Sequence, residues 1–249
     1  MKLEGKIALI TGGTRGIGAA IALAFARAGA DVAVAARERD DEAKRIEQAI
    51  LALDRRCEMI KADCQHADEN TRCVREVNTR LGGLDVLVHS AGGPVPGSLL
   101  ELTPETWYAA FDVHVHAVFH LCRAAIPLMQ PKKEGAVILV SSTAGKLGVQ
   151  GNLAYQVVKG ALPQFTRALA REFAPDNIRV NCVAPGVIRT RFHVNMSEAQ
   201  KKLNLEQRIP LRREGTPEQV ASLVLELVTN DFITGETFTI DGGLTMRIA

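Results

Sequence analysis

The chain has 249 residues, of which 47% are apolar and 23% charged, proportions ordinary for a soluble globular protein with one sizeable core. Its net charge of +2 is too near balance for a nucleic-acid surface or a polybasic membrane anchor, and no apolar run reaches bilayer-spanning length. Five cysteines, an odd number without CxxC spacing, argue against a disulfide framework and a zinc site. With an amino terminus that lacks a signal-peptide pattern, they favour a cytoplasmic protein with free thiols and no metal.

Short apolar runs alternate with longer helical patterns along the chain. Strands are predicted at 6–11, 31–36, 57–62, 85–90, 136–141, 178–183 and 237–240. Helices are predicted at 16–28, 39–54, 67–80, 104–129, 152–174 and 217–228. Near-continuous hydrophobicity is typical of strands buried on both faces of a parallel sheet. The pattern predicts a doubly wound α/β Rossmann fold, with a single domain over 1–249 whose seven-stranded parallel sheet carries helices on both faces.

The segment from about 187 to 215 is more polar and interrupts this alternation. It follows the sixth predicted strand, so it starts at the carboxyl edge of the sheet, where folds of this class bind ligands. We interpret it as a flap on the substrate side. The alternative is a surface insertion without function.

The sequence ITGGTRGIGAAIALAF runs from the first strand through a glycine-rich turn into a helix. Gly12, Gly16 and Gly18 allow a tight turn and close backbone approach, and the free N–H groups of the helix start attract a pyrophosphate. The spacing is GxxxGxG rather than GxGxxG. Its position between a strand and an alanine-rich helix nevertheless predicts a dinucleotide site.

The end of the second strand distinguishes NAD from NADP. In such folds an acidic residue there holds the ribose 2′-hydroxyl of NAD. Here Ala36 is followed by Arg37, and Arg15 in the glycine loop is a second candidate cation. Guanidinium groups pair well with phosphate oxygens, so the sequence favours NADP(H). The alternative is that Arg37 is a solvated side chain at the start of the next helix, a description that fits Arg39 equally.

The segment VSSTAGKLGVQGNLAYQVVKG, residues 140–160, contains Ser141, Ser142, Tyr155 and Lys159. The tyrosine and the lysine are four residues apart in a predicted helix, so they share one of its faces. Tyrosine titrates near about 10, too high for a base at neutral pH, and a nearby ammonium lowers that value. A serine hydroxyl from the preceding strand end would hydrogen-bond the substrate oxygen.

In these motifs the chain resembles the short-chain dehydrogenase/reductase family over essentially its full length. The matching motifs are TGGTRGIG (11–18), KADC (61–64), HSAG (89–92), a serine thirteen residues before the tyrosine, YQVVK (155–159), NCVAPGVIRT (181–190) and IDGG (240–243). Within the family, the chain is similar to the 3-oxoacyl-acyl-carrier-protein reductase-like branch.

The resemblance implies a role for each matching residue. Ser142 would polarise the carbonyl, Tyr155 would be the acid in reduction and the base in oxidation, and Lys159 would hold the ribose hydroxyls and depress the tyrosine pKa. The residues expected to bind the cofactor are Gly12, Gly13, Thr14, Arg15, Gly16, Ile17, Gly18, Arg37, Asp63, Cys64, Ser90, Ala91, Gly92, Tyr155, Lys159, Pro185, Gly186, Ile188 and Thr190. Because family members are usually tetramers built on the helices around 104–129 and 152–174, a homotetramer is expected.

One catalytic position departs from the family pattern. The family usually has an asparagine in the fourth helix, thought to hold a water that links the lysine to bulk solvent, and His114 stands there in FDVHVHAVFH. Imidazole also accepts from and donates to water, but it is bulkier and gains charge as the pH falls. His114 is therefore a candidate catalytic residue in an altered relay, with impaired activity as the alternative.

Four other residues raise separate questions. His116 and His120 are four apart and share a helix face, but no third ligand is evident nearby, so packing is favoured over metal binding. His89 is expected to bond to backbone or a neighbour. Pro163 deletes a backbone hydrogen bond to residue 159 and predicts a kink in the helix.

The sequence thus predicts an oxidoreductase that transfers a hydride between NADP(H) and a carbonyl or alcohol, with a 3-oxoacyl thioester as the favoured substrate. A sugar, polyol or steroid ketone is the alternative within the family. A weakly active NADP-binding subunit is the alternative from another class. His114 motivates it, and the intact Ser142, Tyr155 and Lys159 oppose it. Neither nucleic acid nor a membrane is an expected partner.

Overall fold

The computed structural model describes residues 1–191 and 196–246. Its strands form one sheet in the order β3–β2–β1–β4–β5–β6–β7, and every neighbouring pair is parallel. The strands are β1 (Ile7–Thr11), β2 (Asp31–Ala36), β3 (Cys57–Lys61), β4 (Val86–His89), β5 (Gly135–Val140), β6 (Ile178–Pro185) and β7 (Thr237–Ile240). The predicted seven-stranded parallel sheet is confirmed.

Helices cover both faces of this sheet. They are α1 (Gly16–Arg27), α2 (Asp41–Leu51), α3 (Ala67–Leu81), α4 (Pro104–Phe111), α5 (Ala117–Met129), α6 (Leu153–Phe173), α7 (Glu198–Leu203) and α8 (Pro217–Thr229). Helices α3, α5 and α6 pack on one face, and α1, α2 and α8 pack on the other, which confirms the doubly wound Rossmann arrangement. None of the helices in the described ranges is both long and apolar enough to cross a membrane.

The strand side chains alternate between these two layers. Leu9 of β1 packs with the α3, α5 and α6 layer, whereas the next residue, Ile10, packs with the opposite layer. Both side chains are completely buried. Burial on both faces is the reason why the strands are continuous apolar runs rather than alternating ones.

The predicted helix over 104–129 is interrupted. Helix α4 ends at Phe111, a π-helical turn spans Asp112–His116, and α5 begins at Ala117. A π turn closes its hydrogen bonds over five residues instead of four, and such turns are often found at functional sites. Helical periodicity does not readily reveal a single π turn, because the turn shifts the apolar pattern by only one residue.

The predicted flap has a defined base. Ile188 and Gly215 form a parallel β-bridge. Arg189 donates its N–H to the carbonyl of Gly215, and Gly215 donates to the carbonyl of Val187, both at 2.9 Å. The flap also contains α7 and a π-helical turn at Asn204–Arg208, neither of which was predicted. Residues 192–195 of the flap and the terminal 247–249 lie outside the described residues.

The strand order creates a crevice at the carboxyl edge of the sheet. From β1 the chain winds outward to β3 on one side and then crosses to β4 on the other side of β1. The loops that leave β1 and β4 therefore diverge, and a ligand can enter between them. This topology brings the predicted site residues to a single edge.

Candidate active site

A cleft of about 1130 Å³ opens at this carboxyl edge. Its walls come from the segments that follow six strands, β1 to β6, represented by Gly12, Arg37, Asp63, Ser90, Ser141 and Gly186. Every residue predicted to bind the cofactor lines the cleft except Gly13, and the predicted catalytic residues line it as well. This volume is slightly larger than that of an ordinary small-molecule pocket, as an extended dinucleotide requires.

The glycine loop packs so closely against neighbouring backbone that side chains are excluded from it. Gly12 has a φ of 65°, and a Cβ added there would lie 2.8 Å from the Cα of Ala91. A Cβ on Gly18 would lie 2.3 Å from the carbonyl oxygen of Gly12. Helix α1 starts without a side-chain cap, so its first N–H groups remain available to a pyrophosphate. The cradle therefore fits the phosphates of a dinucleotide.

Gly13 has a different role from its neighbours. It is buried, and a Cβ added there would meet Val34 at 2.9 Å and the carbonyl of Ile10 at 3.0 Å. It thus faces the sheet and allows the loop to pack on β2. Gly13 was predicted among the cofactor residues because it belongs to the same motif, and the sequence alone does not separate the two kinds of glycine.

The two candidate phosphate-binding arginines stand in different electrostatic environments. Arg15 pairs with Asp40, and its Nε lies 3.2 Å from Glu42, whose other oxygen lies 3.1 Å from Arg191 at the start of the flap. Arg37 is exposed on the cleft wall and forms no ion pair with any described residue. Of these two arginines, Arg37 is therefore the one whose charge is not already balanced by a carboxylate among the described residues. The carboxylates of this network were not part of the sequence prediction.

Two other charged residues, which follow β2 and β3, are already engaged. Arg39, the equal alternative to Arg37 as a solvated cation, is held by Glu47 at 2.6 Å. The carboxylate of Asp63 accepts the N–H of Gln65 at 3.0 Å. Burial raises the pKa of the neighbouring Cys64 thiol to about 12, so this group stays protonated.

Ser142, Tyr155 and Lys159 converge at the opposite end of the cleft. Ser142 lies two residues after β5, and its hydroxyl accepts the N–H of Ala144 at 3.1 Å. Burial raises the pKa of Tyr155 to about 12, and a hydrogen bond with Ser142 opposes this shift. The phenol is therefore protonated at neutral pH. The expected depression of this pKa by Lys159 is not found: burial raises the pKa, and the contribution that opposes burial comes from the Ser142 hydrogen bond.

Lys159 is a buried cation. Its ammonium donates to the carbonyl of Val140 at 2.7 Å and lies 5.7 Å from the centroid of the Tyr155 ring. Burial lowers the pKa of Lys159 to about 8. The side chain thus remains charged at neutral pH and loses its proton only in mild alkali.

His114 lies in the π turn, fully buried, with its ring edge-on to Tyr155 at a centroid distance of 5.8 Å. Nε2 lies 3.2 Å from the carbonyl of Gly93, so this nitrogen carries the proton, and Nδ1 is left as a buried acceptor without a partner among the described residues. Burial and the charge of Lys159 lower the pKa of His114 to about 2. The expected gain of charge on mild acidification therefore does not occur.

The larger imidazole fits because Gly92 makes room for it. Gly92 has a φ of 131°, and a Cβ there would lie 2.0 Å from Cε1 of His114. Any other residue at 92 would collide with the ring. The departure at 114 is thus accommodated by a glycine of the HSAG motif.

The other histidines are placed by ordinary packing. His89 bonds to Thr11 at 2.9 Å through Nδ1 and to the carbonyl of Val113 at 3.0 Å through Nε2, as predicted, and burial lowers its pKa to about 4. His116 pairs with Asp112 at 2.8 Å, and His120 stacks edge-on with Phe119. Within residues 1–191 and 196–246, no three His, Cys, Asp or Glu side chains gather as a metal would require.

Known proteins are similar to this chain in sequence and in fold. A family model described as enoyl-(acyl carrier protein) reductase matches residues 12–245. An uncharacterized oxidoreductase of Mycobacterium tuberculosis is 39% identical, covering 98% of this chain and 94% of that protein. A 3-oxoacyl-[acyl-carrier-protein] reductase of Synechocystis is 35% identical, covering 98% of both.

The solved structures agree with these relatives. L-sorbose reductase from Gluconobacter frateurii, determined in complex with NADPH and L-sorbose, superimposes with a TM-score of 0.91 and 29% identity, covering 100% of both chains. Identity and fold are thus shared over nearly the whole length of the chain and not only at the cleft. The chain therefore belongs to the short-chain dehydrogenase/reductase family of oxidoreductases.

Proposed function

We propose that this chain is an NADP(H)-dependent carbonyl reductase acting on a 3-oxoacyl thioester or a similar ketone. The observation that carries the proposal is the convergence of Ser142, Tyr155 and Lys159 at one end of a dinucleotide cleft, with the phenol held protonated. Reduction of a ketone requires a proton for the carbonyl oxygen, and a protonated phenol supplies one. The nicotinamide of bound NADPH supplies the hydride.

Each residue of the trio has a separate task. The Ser142 hydroxyl polarises the carbonyl by hydrogen-bonding its oxygen, to which Tyr155 donates its proton. As the phenol loses this proton, negative charge develops on its oxygen, and the ammonium of Lys159 stabilises that charge. Lys159 is also the residue that would hold the ribose hydroxyls of the cofactor, as the family resemblance implies.

His114 takes over the task of the missing asparagine in this proposal. Its Nδ1 is a buried acceptor beside Tyr155, and its low pKa keeps that acceptor available across the physiological range. A water bonded to Nδ1 would continue the proton relay toward Lys159. Under this hypothesis the relay is retained in altered form rather than lost.

The lining of the cleft beside His114 favours an acyl chain over a sugar. The loop after β4, the end of α4 and the π turn contribute mostly apolar side chains there: Pro94, Val95, Ala109, Ala110 and Val113. Thr106 adds a single hydroxyl. A polyol would leave its hydroxyls without partners on such a wall, and unpaired buried polar groups cost free energy. A ketose or a steroid ketone is the second candidate, and L-sorbose reductase shows that this fold also serves sugars.

The charge of Arg37 supports a choice of cofactor, and the free cysteines support a choice of compartment. We assign NADP(H) because Arg37 stands unpaired, among the described residues, where NAD-binding relatives of this fold place an acidic residue. We also assign the cytoplasm, since all five cysteines are free thiols and four of them are buried.

We further propose that the protein is a homotetramer. Phe119 on α5 and Val157 on α6 are 48% and 40% exposed, and both helices belong to the region that the family resemblance assigns to the subunit contact. Apolar side chains of this kind are stabilised when a second copy covers them.

Substitutions at His114 test the relay. His114→Asn keeps a hydrogen-bonding group and should retain kcat within about tenfold, whereas His114→Leu should lower kcat by about 100-fold, the magnitude of a lost proton-transfer group. NADPH absorbance measures the rates with a 3-oxoacyl thioester, an enoyl thioester, a ketose and a steroid ketone. No turnover of any of them by wild type or His114→Asn, despite tight NADPH binding, would instead establish a weakly active subunit.

The pH dependence follows from the shifted groups. Lys159 keeps its proton below about pH 8, and Tyr155 keeps its proton up to about pH 12. His89 stays neutral above about pH 4, and His114 stays neutral above about pH 2. We therefore expect kcat/KM for reduction to be flat between about pH 5 and 7 and to fall as the pH rises through about 8, where Lys159 loses its charge. An acid limb near the ordinary histidine pKa that disappears in His114→Asn would contradict this assignment.

Cofactor selectivity should depend on Arg37. Losing one charge-assisted contact to a phosphate weakens binding by roughly tenfold or more, so Arg37→Ala should raise the Kd of NADPH by that factor and leave that of NADH unchanged. Arg15→Ala should have a smaller effect, because Asp40 and Glu42 already neutralise this arginine. Arg45→Ala, on the exposed side of α2, is the control. Tighter binding of NADH than of NADPH by the wild type would overturn the assignment.

Light scattering tests the oligomeric state. The wild type should have four times the 26.9 kDa mass of the chain. Phe119→Glu places a charge on the proposed contact and should yield smaller species. Leu51→Glu on α2 is the matched control, because Leu51 is 51% exposed on the opposite face of the sheet. A monomeric wild type, or equal effects of both substitutions, would contradict the proposal.

A further inference from the structure

The two adjacent serines at the end of β5 have different environments. Ser142 faces Tyr155 and the cleft. Ser141 is 4% exposed, and its hydroxyl donates to the backbone carbonyl of Lys159 at 2.7 Å. This buried bond joins residues that are 18 positions apart, and the proposed mechanism does not use it.

The carbonyl of Lys159 needs this donor because of Pro163. In an α-helix the carbonyl of residue 159 accepts the N–H of residue 163, and proline has no N–H. Helix α6 nevertheless continues through Pro163 to Phe173. A buried carbonyl without a partner is costly, and the Ser141 hydroxyl supplies the bond that the proline removes.

Lys159 is therefore tied to the end of β5 at two points. Its ammonium donates to the carbonyl of Val140, and its own carbonyl accepts from Ser141, both at 2.7 Å. The backbones also meet directly nearby, since a Cβ on Gly145 would lie 2.7 Å from the N of Gly160. These contacts fix how far α6 is rotated and shifted relative to β5.

We propose that Ser141 is a positioning residue, which sets where the Lys159 ammonium stands by bonding the carbonyl that Pro163 leaves open. The inference rests on the proposed function for its effect on rate, and on the geometry alone for its effect on stability. The serine and the proline form a matched pair: either a hydroxyl at 141 or an N–H at 163 satisfies the carbonyl.

A double-mutant cycle tests this pairing. Ser141→Ala leaves the carbonyl buried and unpaired, so we expect a loss in kcat on the order of tenfold and a displaced alkaline limb of the pH profile. Ser141→Thr keeps the hydroxyl and should restore both. Pro163→Ala in the Ser141→Ala background returns an N–H to the carbonyl and should recover most of the lost rate. Pro163→Ala alone should leave the alkaline limb in place.

Thr166→Val provides the matched control. Thr166 is fully buried in the same helix, and its hydroxyl donates to the carbonyl of Leu162 at 2.9 Å. Its loss should lower stability without moving the alkaline limb, as expected of a hydroxyl that does not position Lys159. An equal displacement of the limb in Thr166→Val and Ser141→Ala would overturn the proposal.

Urea unfolding of the same variants separates this inference from the proposed function. The equilibrium constant for unfolding should rise on the order of tenfold in Ser141→Ala and return toward the wild-type value when Pro163→Ala is added. This arm needs no turnover, so it decides the pairing even if the wild type reduces none of the ketones. Additive effects of the two substitutions, in stability and in the alkaline limb, would overturn the proposal.

Discussion

The buried ammonium of Lys159 is the constraint on which the end of the cleft that holds Ser142 and Tyr155 depends. Lys159 is 6% exposed, and no carboxylate in the described part of the chain forms an ion pair with it. Removing a cation from water without a counter-charge is costly, so the surrounding groups must compensate or avoid adding to the charge. The carbonyl of Val140 solvates the ammonium directly. The cost is also the reason why the pKa of Lys159 falls.

The same charge controls its imidazole neighbours. The positive charge of Lys159 contributes to the lowered pKa of both His89 and His114. A second cation in this low-dielectric region would repel the first, so both rings stay neutral and act through hydrogen bonds. An imidazole can therefore occupy the place of an asparagine, since a neutral ring also presents one donor and one acceptor. The substitution changes size rather than charge, and Gly92 provides the space.

The sequence predicted what depends on repeated patterns. Strand periodicity, the glycine loop and the spacing of Tyr155 and Lys159 were sufficient for the sheet, the cradle and the catalytic end. Features set by individual contacts, rather than by a repeated pattern, were not predicted. The inward direction of Gly13 depends on Val34, the π turn depends on local hydrogen bonding, and the partner of the Lys159 carbonyl lies 18 residues away. Pro163 was noticed as a helix defect, but only the fold shows that Ser141 corrects it.

The arginines around the glycine loop show why a count of arginines does not measure phosphate affinity. Glu42 contacts both Arg15 and Arg191, so the glycine loop, α2 and the flap share one chain of ion pairs across the cleft edge. Exposed pairs of this kind contribute about 0–1 kcal/mol each, and they exchange partners readily. A phosphate that approaches Arg15 must replace carboxylates that already balance its charge, so the net electrostatic gain is small. Arg37 forms no ion pair with any described residue, so under the proposed function the discrimination between the two dinucleotides rests on it.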